Sequence, residues 1–306
     1  MREHSRNLFP SGVTLGLIVT AFLFVALGTA VAQRKGNGGG GGGGRTSTVW
    51  VDDFNTIDST RWVKATAQTP TPGNTPSNTG TYDPNYVGLV QAVDGNTYLQ
   101  IKLTQKVVST EPSVTSSTGG LLYSNQTYRY GTYEWRMRMS STATEPFGSG
   151  VPQSGNVSAA FNYVNNSQTE VDFEFSGHVI GDLDPNNDNT LYMANWNNKG
   201  PKSPPAPNEL TSSTTEIPGI TSGFKTYRFV WEEGKITFCV EGSYQTHHTT
   251  DVPSAPANLM INHWGTNKLD GGFGGKATPG ITRYFYVDRV GFTPLLLGCS
   301  EPFRLP

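Results

Sequence analysis

The chain has 306 residues, among them 36 Gly and 20 Pro, with 11% aromatic residues and only 15% charged residues. This composition favours many short strands joined by turns over long amphipathic helices. The formal net charge is −2, from 22 basic and 24 acidic residues, which excludes the strongly basic surface that binding to nucleic acid phosphates requires.

The first 32 residues are predicted to be a targeting segment. A basic start precedes an apolar stretch over 13–27, and the small-x-small motif Ala30-Val31-Ala32 follows it. These are the three parts of a secretory signal. We therefore predict a signal peptide over 1–32 and a secreted protein, extracellular or periplasmic. The alternative is that the apolar stretch remains as an N-terminal membrane anchor.

A glycine-rich segment separates the signal from the rest of the chain. Residues 36–44 are all Gly except Asn37, and such a run is flexible and buries nothing. We predict a linker over 33–48, one catalytic domain over 49–295 and a short C-terminal tail over 296–306.

Alternation of apolar and polar residues with a period of two runs through most of the predicted domain. The clearest segments lie at 98–104, 132–139, 226–231, 235–240 and 284–290. Only Glu232-Glu233-Gly234 separates the third segment from the fourth, which predicts a β-hairpin. Several strands with one apolar face each predict an all-β fold of two antiparallel sheets packed face to face.

Two polar stretches rich in Pro, Thr, Ser and Asn interrupt this alternation, at 68–85 and 199–222. We predict that they are long loops, which either rim a groove or are plain surface insertions.

The two cysteines and two adjacent histidines show no spacing typical of a metal site. Cys239 and Cys299 can form a disulfide in an oxidising compartment, or remain as separate thiols. His247 and His248 would face opposite ways on a strand, and we interpret them as ordinary surface residues.

The segment Glu-Val-Asp-Phe-Glu-Phe at 170–175 is the candidate catalytic strand. On a strand, Glu170, Asp172 and Glu174 share one face, while the apolar side chains share the other. No Lys or Arg within the segment relieves the repulsion among the carboxylates, so the pKa of at least one should rise. Separated pKa values suit a general acid paired with a carboxylate nucleophile.

The spacing of the two glutamates also suits this chemistry. Glu170 and Glu174 lie about 13 Å apart along an extended strand. Side chains that lean inward would approach the separation of about 5–5.5 Å that retaining glycosidases use. The alternative is a solvated acidic face on an edge strand.

Together with other segments, this strand resembles glycoside hydrolase family 16, whose members include lichenases, laminarinases and xyloglucan endotransglycosylases. The uninterrupted Glu-x-Asp-x-Glu spacing is similar to the lichenase and xyloglucan-enzyme branch. The resemblance covers about 49–293. The other similar segments are Asp52-Asp53-Phe54 with Trp62, Tyr130 to Glu134, Gly223 to Trp231, Cys239 to Gly242 and Leu259 to Gly265.

The resemblance implies a concanavalin A-like β-jelly-roll sandwich with a concave substrate cleft. It implies an endo-acting, retaining hydrolase of β-linked glucan (β-1,3-1,4- or related), with Glu170 as nucleophile, Glu174 as acid/base and Asp172 as the assisting carboxylate. The residues it implies for sugar binding are Phe161, Tyr163, Asn195, Trp196, Asn262 and Trp264. It implies no cofactor, although Asp288 matches a position at which some relatives bind a structural calcium.

Three positions depart from the lichenase pattern and leave the substrate open. Gln168 stands where lichenases have a Trp, and Leu121 and Tyr123 stand where they have a Glu and an Arg. The alternatives are a transglycosylase on the same substrates and a non-catalytic, lectin-like carbohydrate-binding sandwich. We expect a monomer that binds polysaccharide, does not bind nucleic acid and leaves the membrane once the signal is removed.

Overall fold

The computed structural model describes residues 49–303 apart from 68, 70, 72–77, 111–112, 165–166, 178–189, 199–208 and 267–272. The predicted signal at 1–32 and linker at 33–48 lie outside the described residues. In the part of the chain that is described, no helix is long and apolar enough to cross a membrane.

Strands are nearly the only regular secondary structure among the described residues. One short 3₁₀ turn, Pro84–Tyr86, lies between β3 and β4. The strands are β1 (Trp50–Asp52), β2 (Trp62–Lys64), β3 (Asn78–Tyr82), β4 (Val87–Gln91), β5 (Thr97–Thr110), β6 (Ser113–Tyr128), β7 (Gly131–Ser141), β8 (Asn156–Val164), β9 (Thr169–Ser176), β10 (Thr190–Trp196), β11 (Leu210–Glu216), β12 (Lys225–Glu232), β13 (Lys235–Val240), β14 (Ser243–His248), β15 (Ala257–Gly265) and β16 (Arg283–Thr293).

The strands form one hydrogen-bonded path in the order β11-β10-β9-β8-β15-β6-β5-β16-β7-β12-β13-β14. The strands from β11 to β6, with β2, are called the front sheet here, and those from β5 to β14, with β1 and β4, the back sheet. The long strand β6 joins the two, because its first half pairs with β5 and its second half with β15. The predicted antiparallel β-jelly-roll sandwich is confirmed, with the parallel β3–β6 pair as an exception.

Strand β9 shows how the core fixes the front sheet. Val171, Phe173 and Phe175 are fully buried. The Phe173 ring lies 6.3 Å from that of Trp135 and 5.4 Å from that of Phe238, both on the back sheet. Burying each such side chain contributes about 1.5–3 kcal/mol. A slip of one residue would bring the carboxylates into this core, so the register of β9 is strongly specified.

The predicted hairpin is present, whereas the two predicted polar loops are partly wrong. Glu232 of β12 lies opposite Lys235 of β13, and Gly234 occupies the turn with φ of 75°. The described ends of the polar stretches form β3 and β11 instead of loops. Neither strand shows apolar alternation in its sequence. Strand β11 is half exposed along its length and is held by its backbone pairing with β10.

A disulfide between Cys239 and Cys299 fastens the chain after β16 to β13. The Arg228 guanidinium also donates hydrogen bonds to the carbonyl oxygens of Gly298 and Cys299. The ring of Phe303 lies directly over Gly291 of β16, where a side chain would collide with it. The described part of the predicted tail therefore packs on the back sheet.

Candidate active site

Strand β9 places Glu170, Asp172 and Glu174 on the outer surface of the front sheet, which is called the acid face here. The three share this face, as the alternation predicts. On β8, Tyr163 lies opposite Glu170, Phe161 opposite Asp172 and Ala159 opposite Glu174. On β10, Trp196 lies opposite Glu170, Ala194 opposite Asp172 and Tyr192 opposite Glu174. Because directly paired residues of antiparallel strands lie on the same face, these six side chains surround the carboxylates.

Burial and mutual repulsion separate the pKa values of the three carboxyl groups. Burial raises the pKa of Glu170 to about 7, and a hydrogen bond from the Ser167 side chain opposes this shift. Burial, followed by the charge of Glu170, raises the pKa of Glu174 to about 8. Asp172 is only 2% exposed, and burial and then both neighbouring charges raise its pKa well above the usual range. Burial thus raises the pKa of all three carboxyl groups on the acid face.

Five of the six predicted sugar-binding side chains lie on the acid face. Phe161 and Tyr163 lie on β8 and Trp196 lies on β10, each directly opposite an acid. Asn262 and Trp264 lie on β15, one strand further from β9 than Phe161. All five are only 2–7% exposed, so they line the site as a packed wall.

Asn195 is the exception, and the prediction that it contacts substrate is wrong. It lies opposite Val171, on the core side of β10, and is fully buried. Its side-chain amide donates hydrogen bonds to the carbonyl oxygens of Thr250 and Asp251 at 3.1 and 2.7 Å. Its Oδ1 lies 2.7 Å from Nδ1 of His248, which is itself buried and not the surface residue that the sequence suggested. Asn195 thus stabilises a turn.

Two tyrosines near Glu174 were missed from the sequence. Tyr192 lies directly opposite Glu174, and the Oη of Tyr82 accepts a hydrogen bond from Asn262 Nδ2 at 3.1 Å. Burial above all, with a contribution from the Glu174 charge, raises the pKa of both tyrosines, so both remain phenols. Tyr192 lies four residues before Trp196, so the period of two places both on the same face of a strand. Tyr82, in contrast, is brought to this site only by the tertiary structure.

The residues around Asp288 do not fit a calcium ion. The Asp288 carboxylate accepts a hydrogen bond from the Arg136 guanidinium at 2.9 Å, and that cation would repel a calcium ion. No group of three or more His, Cys, Asp or Glu side chains in the described ranges is placed to hold a metal.

A cavity of about 720 Å³ lies on the back sheet, and both arginines in its lining pair with one glutamate. The carboxylate of Glu134 pairs there with both Arg228 and Arg289. An ion-pair network of this kind is typical of a structural role and does not by itself indicate a catalytic site. The acid face, where the carboxylates have no such partners among the residues named, is therefore the candidate active site.

A family model described as "Glycosyl hydrolases family 16" matches residues 82–279, which include all three carboxylates. The chain belongs to glycosyl hydrolases family 16. This family 16 enzyme is 27% identical over 257 residues to a beta-glucanase of Brevibacillus brevis, covering 81% of this chain and 83% of that protein. It is also 27% identical over 250 residues to the endo-1,3-1,4-beta-glycanase ExoK of Rhizobium meliloti, covering 79% and 77%.

Solved structures share the fold of this family 16 enzyme at low sequence identity. A prokaryotic beta-1,3-1,4-glucanase (lichenase) derived from a mouse hindgut metagenome aligns with a TM-score of 0.61 and 20% identity, over 81% of this chain and 100% of that one. The laminarinase catalytic domain from Thermotoga maritima aligns with a TM-score of 0.56 and 17% identity, over 80% and 97%. The fold is therefore shared by a structure named as a lichenase and by one named as a laminarinase.

Proposed function

We propose that this glycoside hydrolase is an exported, endo-acting, retaining hydrolase of β-linked glucans. The observation that carries the proposal is the acid face of β9, where Glu170 and Glu174 flank the buried Asp172. The names of the relatives, beta-glucanase and endo-1,3-1,4-beta-glycanase, support a β-1,3-1,4-glucan or a related substrate. The signal-like leader and the disulfide support export, because disulfides persist in oxidising compartments.

The reaction proceeds by two displacements at the anomeric carbon. In the first, Glu174 gives its proton to the glycosidic oxygen while a Glu170 oxygen attacks the anomeric carbon. The glycosidic bond breaks, the leaving sugar departs with the proton, and the remaining sugar is held as an ester of Glu170. Glu174 then takes a proton from water, which attacks the anomeric carbon and breaks the ester. Two inversions give net retention of configuration.

The order of the raised pKa values supports this division of roles. A nucleophile must be ionised while the acid holds its proton, and the pKa of Glu170, about 7, lies below that of Glu174, about 8. Asp172, with the most strongly buried carboxyl group, keeps its proton and can donate it to whichever glutamate is ionised. The polysaccharide is the partner in this scheme, and we expect the protein to act as a monomer.

Reducing-sugar release from mixed-linkage glucan, laminarin and xyloglucan tests the reaction. Glu170→Gln should abolish release, because the amide cannot form the ester. Glu233→Gln is the matched control, since Glu233 is an exposed glutamate in a turn of the back sheet. A folded Glu170→Gln protein with unchanged activity would rule out the proposed nucleophile.

Azide rescue of alanine variants separates the two roles on an aryl β-glycoside substrate. Glu174→Ala with azide should yield a β-glycosyl azide, because the ester still forms on Glu170. Glu170→Ala with azide should yield an α-glycosyl azide by direct displacement. The reverse pair of anomers, assigned by NMR, would interchange the roles of the two glutamates.

Transglycosylation is the second candidate, since the same ester can pass to a sugar hydroxyl in place of water. Product length, measured with and without added oligosaccharide acceptors, separates the two reactions: longer products only with acceptor would indicate transfer. Binding across the polysaccharide panel without any turnover would instead indicate a lectin-like protein.

A further inference from the structure

Arg283, the first residue of β16, is a fully buried cation that forms none of the ion pairs found among the described residues. Burying a charge is costly unless hydrogen bonds compensate for the lost water. The Arg283 Nη2 donates to the carbonyl oxygens of Ser154 and Thr278 at 3.1 and 3.0 Å. Its Nη1 donates to the Ile281 carbonyl oxygen at 3.4 Å. The buried charge is therefore directed at the main chain of two separate loops.

The two loop segments that Arg283 joins are called the end wall here, and they comprise 153–155 and 273–278. The Ser154 carbonyl oxygen also accepts a hydrogen bond from Thr278 Oγ1 at 2.9 Å. Beside it, the Gly155 N–H donates to the Gly274 carbonyl oxygen at 2.6 Å. Gly155 has φ of 84°, and a Cβ there would collide with the backbone of the second segment. The two segments thus touch at their backbones.

The end wall lies against the acid face just beyond Glu174. Ser176, two residues after Glu174 on β9, accepts a hydrogen bond at its Oγ from the Gly274 N–H at 2.7 Å. The ring of Phe273 meets that of Tyr192 edge-on, with centroids 5.3 Å apart, and Tyr192 lies directly opposite Glu174. Phe273 is half-buried, so part of its ring is accessible. The end wall therefore bounds the acid face at its Glu174 end.

An arginine suits this position because its guanidinium carries several donors in one fixed plane and can serve several carbonyl oxygens together. Two other side chains also fasten the end wall. Gln105 Oε1 accepts a hydrogen bond from the Thr278 N–H at 3.2 Å, and Thr266 Oγ1 donates to the Gly275 carbonyl oxygen at 2.9 Å. Because these anchors remain, weakening the contacts of Arg283 should shift the end wall without unfolding it.

We propose that Arg283 is a positioning residue that holds the end wall, and with it the Phe273 ring, beside the sugar site next to Glu174. The inference rests on the proposed function of the acid face as the site of glucan hydrolysis. Arg283 belongs to the back sheet and contacts no reacting atom, so it acts through the two loop segments. It fixes the place at which the bound sugar chain meets protein beyond the proposed acid/base.

Arg283→Lys and Ser176→Ala test the inference, with kcat and KM measured separately on glucan oligosaccharides. Lysine keeps the charge but lacks the planar fork of donors, whereas Ser176→Ala removes the anchor of the end wall on β9 without altering a charge. Each variant should raise KM by about two- to tenfold, the effect of losing one hydrogen bond, and leave kcat nearly unchanged. Arg136→Lys, at a half-buried arginine on the back sheet, is the matched control and should change neither constant.

A measurement that does not depend on turnover completes the test. In protein labelled with para-fluorophenylalanine, the Phe273 signal is identified by its absence in Phe273→Leu. Its ¹⁹F chemical shift depends on the neighbouring rings, so it should change in Arg283→Lys and Ser176→Ala and stay constant in Arg136→Lys. If Arg283→Lys does not fold, Ser176→Ala still tests whether the end wall affects KM.

The outcomes separate positioning from a purely structural role. A lower Tm in Arg283→Lys with the KM and the Phe273 signal unchanged would overturn the inference and leave the proposed function intact. An unchanged KM in Ser176→Ala, with the Phe273 signal displaced, would also overturn it, because the end wall would then not contact substrate. If the wild-type protein cleaves no glucan, the proposed function itself fails, and the role given to the end wall fails with it.

Discussion

Removal of the disulfide should destabilise the protein without changing its chemistry. Cys239 and Cys299 are 60 residues apart in the sequence. For a closed loop of that length, the chain-entropy model predicts that the bridge contributes about 4 kcal/mol to the free energy of unfolding. A domain of this size loses about 2–4 °C in Tm for each kcal/mol. The double variant Cys239→Ser/Cys299→Ser should therefore melt about 8–16 °C lower than the wild-type protein.

Circular dichroism melts of both proteins, with and without reductant, measure this difference. Reductant should lower the Tm of the wild-type protein and leave the double variant unchanged, which is the internal control. Because the bridge lies on the back sheet, kcat at 25 °C should be the same in both. A decrease in Tm of less than about 2 °C, which corresponds to less than about 1 kcal/mol, would refute the loop-closure reasoning. A folded double variant with reduced kcat would refute the separation of the bridge from the site.

The remaining predictions concern the site and the core beneath it. Because the pKa values of Glu170 and Glu174 are raised to about 7 and about 8, kcat/KM should increase through the first value and decrease through the second; a flat profile across both would contradict the assigned roles. A carboxyl group with a raised folded-state pKa binds more protons than the unfolded chain does, so it costs stability as pH rises from about 4.5 to about 8. Glu174→Gln should therefore melt higher than the wild-type protein at pH 8, and a lower Tm there would contradict the burial of this carboxyl group. Trp196→Ala should raise KM, whereas Asn195→Ala should lower Tm and leave KM unchanged; the opposite result would mean that β10 is misregistered. Phe173→Ala should lower the free energy of unfolding in urea by about 3–5 kcal/mol, and a change below about 1 kcal/mol would mean that this ring does not lie in the core.

The acidic strand could be predicted because its information is local. Glu170, Asp172 and Glu174 alternate with three apolar residues, so a strand can bury one set only by exposing the other. The packing of Phe173 against the back sheet in the structure then confirms which set is inside. The same reasoning located the β12–β13 hairpin.

Prediction failed where the pattern did not distinguish one face from the other. The resemblance implies sugar binding for both Asn195 and Trp196, although adjacent strand residues face opposite ways. Polar and apolar residues in that segment do not alternate clearly enough to show which of the two faces the core. Strand β11 was missed because it is polar on both faces and is held by its pairing with β10. Serine has no preference for a positive φ, so the sequence does not indicate the left-handed backbone conformation of Ser167.

The sequence by itself determined the all-β class and the three carboxylates on one side of a strand, since spacing along a strand settles both. Only the tertiary structure decided that Cys239 meets Cys299 and that Tyr82 meets Asn262. It also decided how deeply the acids are buried, and hence how far their pKa values rise. Burial and register depend on strands that are distant in the chain, and no local pattern contains that information.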